Sequence, residues 1–348
     1  MKKHIAFAGI ALAGCSLAHA QASVTLYGVL DTNLEYLTHA SANGGSLVRE
    51  NSGGLDNSRF GLRGTEDLGG GYSAFFVLEA GINSNDGTNA TAGTLFNRTS
   101  AVGIATPYGA LSAGLQYTAM YDILLDYDPM GYAQQYTWMP STGENTFSFK
   151  ARLDNSVKYV GTFDGLTAIA DYSFGGDPEN FQSSAAYGAG LNYDGGSFGA
   201  AFAYDYRNGA LNSSFTWTKS RNWSVSFKQN IGDAHFVAGY EHYLYNPTRS
   251  ASSSSALWFT GVHEYIVPQF ELTLAAYYQS NKTAEVSNAW MGVVNGDYFF
   301  SKTTDVYLTV AYAESTRYGE QYTPVGLTND TAFGPNQTGV TLGIRHKF

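Results

Sequence analysis

The feature that most restricts the fold of this sequence is a two-residue alternation of apolar and polar side chains, repeated in segments of about ten residues. It is plainest in Thr338–Phe348, TGVTLGIRHKF, where Val340, Leu342, Ile344 and Phe348 fall on one parity and Thr341, Arg345 and Lys347 on the other. A strand turns successive side chains to opposite faces, so such a segment is apolar on one side and wet on the other. His346 is the one polar residue on the apolar side, near the end, where a membrane interface tolerates it. Phe270, Leu272, Leu274, Ala276 and Tyr278 repeat the pattern against Glu271, Thr273, Tyr277 and Gln279. Strands of this length cross a bilayer when tilted. The densest apolar patch of the body, Ala74–Leu78, is far too short for a spanning helix.

Composition agrees with strands and turns. The 348 residues include 40 Gly, 26 Tyr and 21 Phe but only 8 Pro, and 14% are charged. The formal charge of −10 argues against a nucleic-acid partner. The first twenty residues read as a secretory signal peptide. Lys2, Lys3 and His4 form a positive start, Ile5–Ala13 an apolar run, and Ala18-His19-Ala20 a small-residue cleavage site. Removing Lys2 and Lys3 leaves 17 Lys and Arg against 29 Asp and Glu, a mature charge of −12. Leu12-Ala13-Gly14-Cys15 offers the alternative of a lipid-bearing Cys15. Cleavage after Ala20 instead leaves no Cys, and no disulfide is needed in an oxidising compartment.

Sixteen alternating segments follow between Val24 and Phe348, joined by connections that are short and long in turn. Gly69–Gly71, Pro107–Gly109, Phe163–Gly165 and Pro268–Gln269 are short; Thr38–Asn57, Ser84–Thr94, Thr118–Asp154 and Arg317–Gln337 are long. This rhythm predicts an all-β fold: a transmembrane antiparallel up-and-down β-barrel of 16 strands over residues 21–348. Lipid satisfies no free backbone donor or acceptor, so a spanning sheet must close on itself. A soluble sandwich also alternates, but it has no use for a long apolar face turned outward. Tyr36, Tyr117, Tyr193, Tyr206, Trp223, Tyr245, Phe300 and Phe348, near strand ends, suit interfacial aromatic girdles.

Asn57–Gly71, NSRFGLRGTEDLGGG, resembles a signature of Gram-negative general diffusion porins. Val24–Gly28, Phe96–Arg98 with Val102-Gly103, Asn155–Tyr159 (NSVKY) and the terminal Phe348 resemble further pieces of that family in the same order. The resemblance implies a trimeric, water-filled barrel in the cell outer membrane, in contact with lipid and lipopolysaccharide. It implies passive diffusion of small hydrophilic solutes and an inward-folded third long loop, about residues 118–154. It also implies that the final strand, ending on Phe348, is read by the outer-membrane assembly machinery.

Within that loop Asp122, Asp126 and Asp128 lie close together, and Asp128-Pro129-Met130-Gly131 resembles a family loop motif. The resemblance makes these carboxylates the acidic face of a constriction. Their spacing is not that of a dedicated Ca²⁺ loop. For the opposing basic wall, Arg59 and Arg63 share the parity opposite Phe60 and Leu62, and Arg98 and Arg152 match family positions. Parity alone puts Arg98 with Val102 and Ile104, so a lumen role there needs a bulge or a strand-end exception. Where the family often has Leu-Gly-Arg-Gln before the loop, this chain has Ala113-Gly114-Leu115-Gln116, one wall cation fewer.

No catalytic residue, metal or cofactor is expected. Gly195-Gly196-Ser197-Phe198-Gly199 fits the G-x-S-x-G pattern, but that motif needs a strand-to-helix elbow, and here it lies in a short turn. His235 and His242 are seven apart on one segment, hence on opposite faces. The alternatives to a porin are a barrel hydrolase, which would show turnover in detergent, and an adhesin or receptor using the long loops.

Overall fold

The computed structural model describes residues 23–139, 149–178, 180–209, 218–246, 252–282, 287–316, 322–326 and 331–348. The signal-peptide reading of residues 1–20 and the lipid alternative at Cys15 fall outside them. So does much of the connections expected after Asn208, Asn246 and Arg317.

The strands are β1 (Ser23–Leu37), β2 (Leu47–Ser52), β3 (Arg59–Gly69), β4 (Tyr72–Gly81), β5 (Thr99–Thr106) and β6 (Gly109–Tyr117). After the helix α1 (Ala119–Leu124) come β7 (Arg152–Phe163), β8 (Leu166–Ser173), β9 (Ala186–Asp194), β10 (Phe198–Asn208) and β11 (Lys219–Ile231). The last six are β12 (Ala234–Asn246), β13 (Ser253–Val267), β14 (Phe270–Asn281), β15 (Ala289–Phe299), β16 (Thr304–Ser315) and β17 (Asn336–Lys347). Every neighbouring pair is antiparallel, and β1 pairs with β17, so the sheet is closed. The seventeen strands make sixteen staves. Strands β2 and β3 pair with successive halves of one edge of β1, Thr32–Leu37 and Ser23–Val29, and together form the second stave. Strand β2 lies within the expected connection Thr38–Asn57; alternation does not reveal it because Arg49, Glu50 and Asn51 leave Val48 as the only outward apolar residue of that half-strand.

The alternation has the expected sense. On β1, Asp31, Asn33 and Glu35 are buried inside, while Leu30, Leu34 and Tyr36 are exposed outside. The outward surface carries Trp223, Trp258, Tyr278, Trp290 and Tyr298 among its exposed aromatics. At the seam the main chain of Phe348 exchanges hydrogen bonds of 2.9 and 3.0 Å with Gly28. A side chain on Gly28 would meet the Phe348 ring at 2.4 Å, so only glycine leaves room for that last ring. Closure matters energetically because each unpaired backbone group in lipid costs several kcal/mol, on the order of what a small core contributes.

Tyr117 corrects one expectation. The register of β6 on β7 slips between Gly114 and Gln116, and the chain leaves the wall at Thr118. The alternation that assigned Tyr117 to a lipid-facing girdle is broken there, and its ring lies beneath Arg152 instead.

Candidate pore constriction

The loop between β6 and β7 runs along the inner wall. Thr118 caps α1, its hydroxyl accepting from the Tyr121 N–H at 3.1 Å. Ala119, Met120, Ile123 and Leu124, one face of this short helix, are buried against β8, β9 and β10. Wall glycines trace the path that follows. A Cβ on Gly190 of β9, Gly261 of β13 or Gly339 of β17 would come within 2.6, 2.4 and 2.5 Å of Ile123, Pro129 and Tyr136.

Polar tethers fix the loop across the barrel. Tyr127 donates to Asn192 Oδ1 at 2.6 Å. Tyr136 donates to Glu35 Oε1 at 3.3 Å and accepts from Thr341 at 2.8 Å. The Gln135 N–H donates to the Gly54 carbonyl at 3.0 Å, and Trp138 Nε1 to the Pro324 carbonyl at 3.0 Å.

The four expected arginines belong to one network on β3–β7. Glu79, buried on β4, accepts from Arg98 Nε at 2.6 Å and lies 3.7 Å from Arg59 Nε. Tyr27 also donates to Glu79, at 3.0 Å, and Arg63 lies over the Tyr27 ring at 5.1 Å. Arg63 itself is exposed, four residues nearer the short turns than Arg59. The Tyr117 hydroxyl accepts from Arg98 Nη2 at 2.6 Å and from Arg152 Nη2 at 2.9 Å. Arg152 stacks on the Tyr117 ring at 4.6 Å, and that ring stacks in turn on Tyr121 at 4.2 Å. Arg98 enters as a strand-end exception: β5 begins at Thr99, one residue later.

The network continues across the second stave. Asp56, between β2 and β3, bonds Arg59 at 3.1 Å and Arg345 at 2.9 Å. Arg345 also reaches Asp297 at 3.0 Å and Asp305 at 3.1 Å.

The three loop carboxylates do not share one face. Asp122 pairs with Lys158 of β7 at 2.7 Å. Asp126 is largely exposed, with Lys228 at 3.8 Å. Asp128 departs from the expected role: it is buried, accepting from Tyr277 at 2.6 Å, the Tyr132 N–H at 2.7 Å and Thr137 at 3.0 Å. Three converging donors make it a clasp between the loop and β14 rather than a surface for solute. Burial raises its carboxyl to about 6 despite those donors. Among the described residues no group of three or more His, Cys, Asp or Glu is arranged to hold a metal ion. Ser197 of the G-x-S-x-G match sits in the turn between β9 and β10, without an elbow.

Glu79, Lys158 and Arg345 escaped the sequence reading as site residues. Parity placed Arg345 on the wet face, but nothing in one strand says which charges its neighbours bring opposite. Below loop residues 125–131 lies a cavity of about 470 Å³, whose walls include Asp126, Lys228, His235, His263, Asp297 and Arg345. Another, of about 290 Å³, is bounded by Ser52, Asn97, Arg98, Gln134 and Arg152.

A family model described as Gram-negative porin matches residues 6–318. Outer membrane porin protein 32 of Delftia acidovorans is 28% identical over the whole of both chains. An outer membrane porin protein of Bordetella pertussis is 32% identical over 239 residues, 61% of each chain. Among solved structures, an anion-selective porin from Comamonas acidovorans superposes with a TM-score of 0.82 at 25% identity, covering 94% of this chain and 100% of that one. OmpT of Vibrio cholerae, solved in a trimer form, shares the fold with a TM-score of 0.68 at 17% identity, over 94% and 99% of the two chains.

Proposed function

Because the chain belongs to the Gram-negative porin family, we propose that its arginine wall makes the lumen a diffusion path favouring small hydrophilic anions. The protein is an outer-membrane porin channel, a multi-pass β-barrel. The observation that carries the anion preference is the stoichiometry around Glu79. Glu79 serves both Arg59 and Arg98, Asp56 is divided between Arg59 and Arg345, and among the described residues Arg152 pairs with no carboxylate. An anion about 4 Å from an uncompensated guanidinium gains roughly 1 kcal/mol in bulk water and about 4 kcal/mol at the effective dielectric of a protein surface. Such a bias sorts ions without trapping them. The relative from Comamonas acidovorans, described as anion-selective, supports the same sign. Away from that wall Asp126 supplies an exposed carboxylate near Lys228 of β11, whereas Asp122 is paired with Lys158 on the wall itself, so a polar solute crosses a transverse field.

The test is the reversal potential of single channels in a KCl gradient. Arg59→Ala and Arg152→Ala should each move it toward cations, and the double variant further. Unaltered selectivity and conductance in the double variant would remove both residues from the constriction.

The trimer contact in this reading lies on the sector from β17 through β1 to β5. Its outward residues include the aliphatic Leu26, Leu30, Leu34, Val102 and Ile104, whereas among the described residues the exposed tryptophans lie on β11, β13 and β15. Ser84–Thr94 would latch a neighbouring subunit, lipid and lipopolysaccharide would meet the aromatic sector, and Phe348 would present the final strand to the assembly machinery.

A further inference from the structure

We infer that the lumen holds a second site, separate from the arginine wall: an open pair of imidazoles, His235 and His263, that binds a borderline divalent cation such as Zn²⁺ or Ni²⁺. The two residues are direct cross-strand partners on β12 and β13. Both point inward. Gly261, two residues before His263, faces Pro129 of the loop, and Leu257 and Phe259 on the same parity are buried. On β12, Val237 is buried and the space a Gly239 side chain would fill is taken by the Phe259 ring. Both histidines line the cavity beneath the loop, close to the short turns.

The ring geometry suits a shared ion. The imidazoles are perpendicular with centroids 4.8 Å apart. Two imidazole nitrogens on one tetrahedral ion, each about 2.1 Å from it, place the ring centres roughly 5 Å apart. Each ring has an acceptor at its other nitrogen: Asn230 Oδ1 lies 2.8 Å from His235 Nδ1, and Glu271 Oε1 lies 3.4 Å from His263 Nδ1. Nδ1–H donation to an amide oxygen and a carboxylate selects the tautomer whose Nε2 carries a lone pair, the outer arrangement usual for metal-binding histidine. Two protein ligands leave the remaining positions to water or a passing solute. Glu271, Asp126 and Asp297 on the cavity wall favour a cation there, against Lys228 and Arg345. Imidazole selects Zn²⁺ or Ni²⁺ over Mg²⁺ and Ca²⁺, which prefer oxygen.

The pairing escapes a sequence reading because His235 and His263 are 28 positions apart and only the β12–β13 register brings them opposite. The within-strand comparison, His235 with His242, asks about the wrong partner.

The test is ZnCl₂ added to single channels from the short-turn side. Wild type should show a stepwise fall in conductance and a reversal potential displaced toward anions, both undone by EDTA and absent with MgCl₂. The double variant His235→Gln, His263→Gln should lose the response, although His39, His242 and His346 remain. Glu271→Gln should raise the half-blocking concentration by about ten-fold. Variant folding is checked by heat-modifiable gel migration. Independently of any channel measurement, the zinc X-ray absorption spectrum of wild type should show two imidazole nitrogens. A double variant that responds like wild type, a wild type indifferent to millimolar ZnCl₂, or a spectrum with oxygen ligands alone would each overturn the assignment.

Discussion

Arginine is used in opposite proportions on two sides of this barrel. On β3–β7 Arg59 and Arg98 share the single carboxylate of Glu79, and Arg152 joins them only through the Tyr117 hydroxyl it shares with Arg98. On β15–β17 one arginine, Arg345, is shared by Asp56, Asp297 and Asp305. Asp56 touches Arg59 as well and joins the halves into one chain of contacts. The formal net charge of −10 therefore says nothing about the sign of the field a solute meets. What sets it is the local ratio of guanidinium to carboxylate, which reverses across the second stave. The network is a fixed gradient of charge along one arc of the lumen wall.

The severest break in that comparison is Arg345→Met. Asp297 and Asp305, both buried, would lose their shared cation. Leaving buried charges uncompensated costs about 3–5 kcal/mol. The urea midpoint of the detergent-solubilised barrel should fall accordingly and recover in part in acid, where carboxyls protonate. Glu79→Gln attacks the other side. Removing the shared anion from Arg59 and Arg98 should cost about 3 kcal/mol and at the same time deepen anion preference. Stability and selectivity moving together there, but stability alone at Arg345, would sharpen the contrast between a wall that sorts ions and a brace that holds staves.

A smaller effect concerns the Asp128 clasp. Its carboxyl titrates near 6 with the loop docked, and an undocked loop restores the ordinary value near 3.9. The docked form binds the proton more tightly, so docking strengthens as pH falls through 6 toward 4 and is weakest above 6. The span is about 3 kcal/mol, from about two pKa units. Open-channel noise from loop excursions should be greater at pH 8 than at pH 5, and Asp128→Asn should flatten the dependence. The least effect is expected of Asp126→Asn. Its carboxylate is exposed, 3.8 Å from a Lys228 that binds Asp194 more closely at 2.8 Å. Such a pair contributes under about 1 kcal/mol, and the change should show only as a slight drift in selectivity at low salt.

These differences explain which residues could be read in advance. A wall residue's direction follows from its own strand, so Arg59 and Arg63 were assignable from their apolar neighbours. The predicted first strand, Val24–Tyr36, differs from β1 by a single residue at each end. A loop residue's direction is decided by where the loop docks. Asp122, Asp126 and Asp128 look alike in sequence yet have three unlike environments, because Lys158, Lys228 and Tyr277 lie on β7, β11 and β14. Tyr117 fell between the cases, at a bulge where alternation fails. The helix α1 went unseen because six residues are too few to establish a helical period against surrounding strand pattern.

The broken second stave has a kinetic consequence. Residues 53–58 leave the β1 edge between its two halves, and there the Gly54 carbonyl receives Gln135 and the Tyr307 hydroxyl reaches Asp31. The far end of the loop thus rests on first, second and last staves at once, through Glu35, Gly54 and Thr341. That resting place exists only after the chain's beginning and end have met. The aperture is consequently the last thing to be built, and an intermediate caught before the ends zip together would be a leaky gutter with its sieve hanging loose.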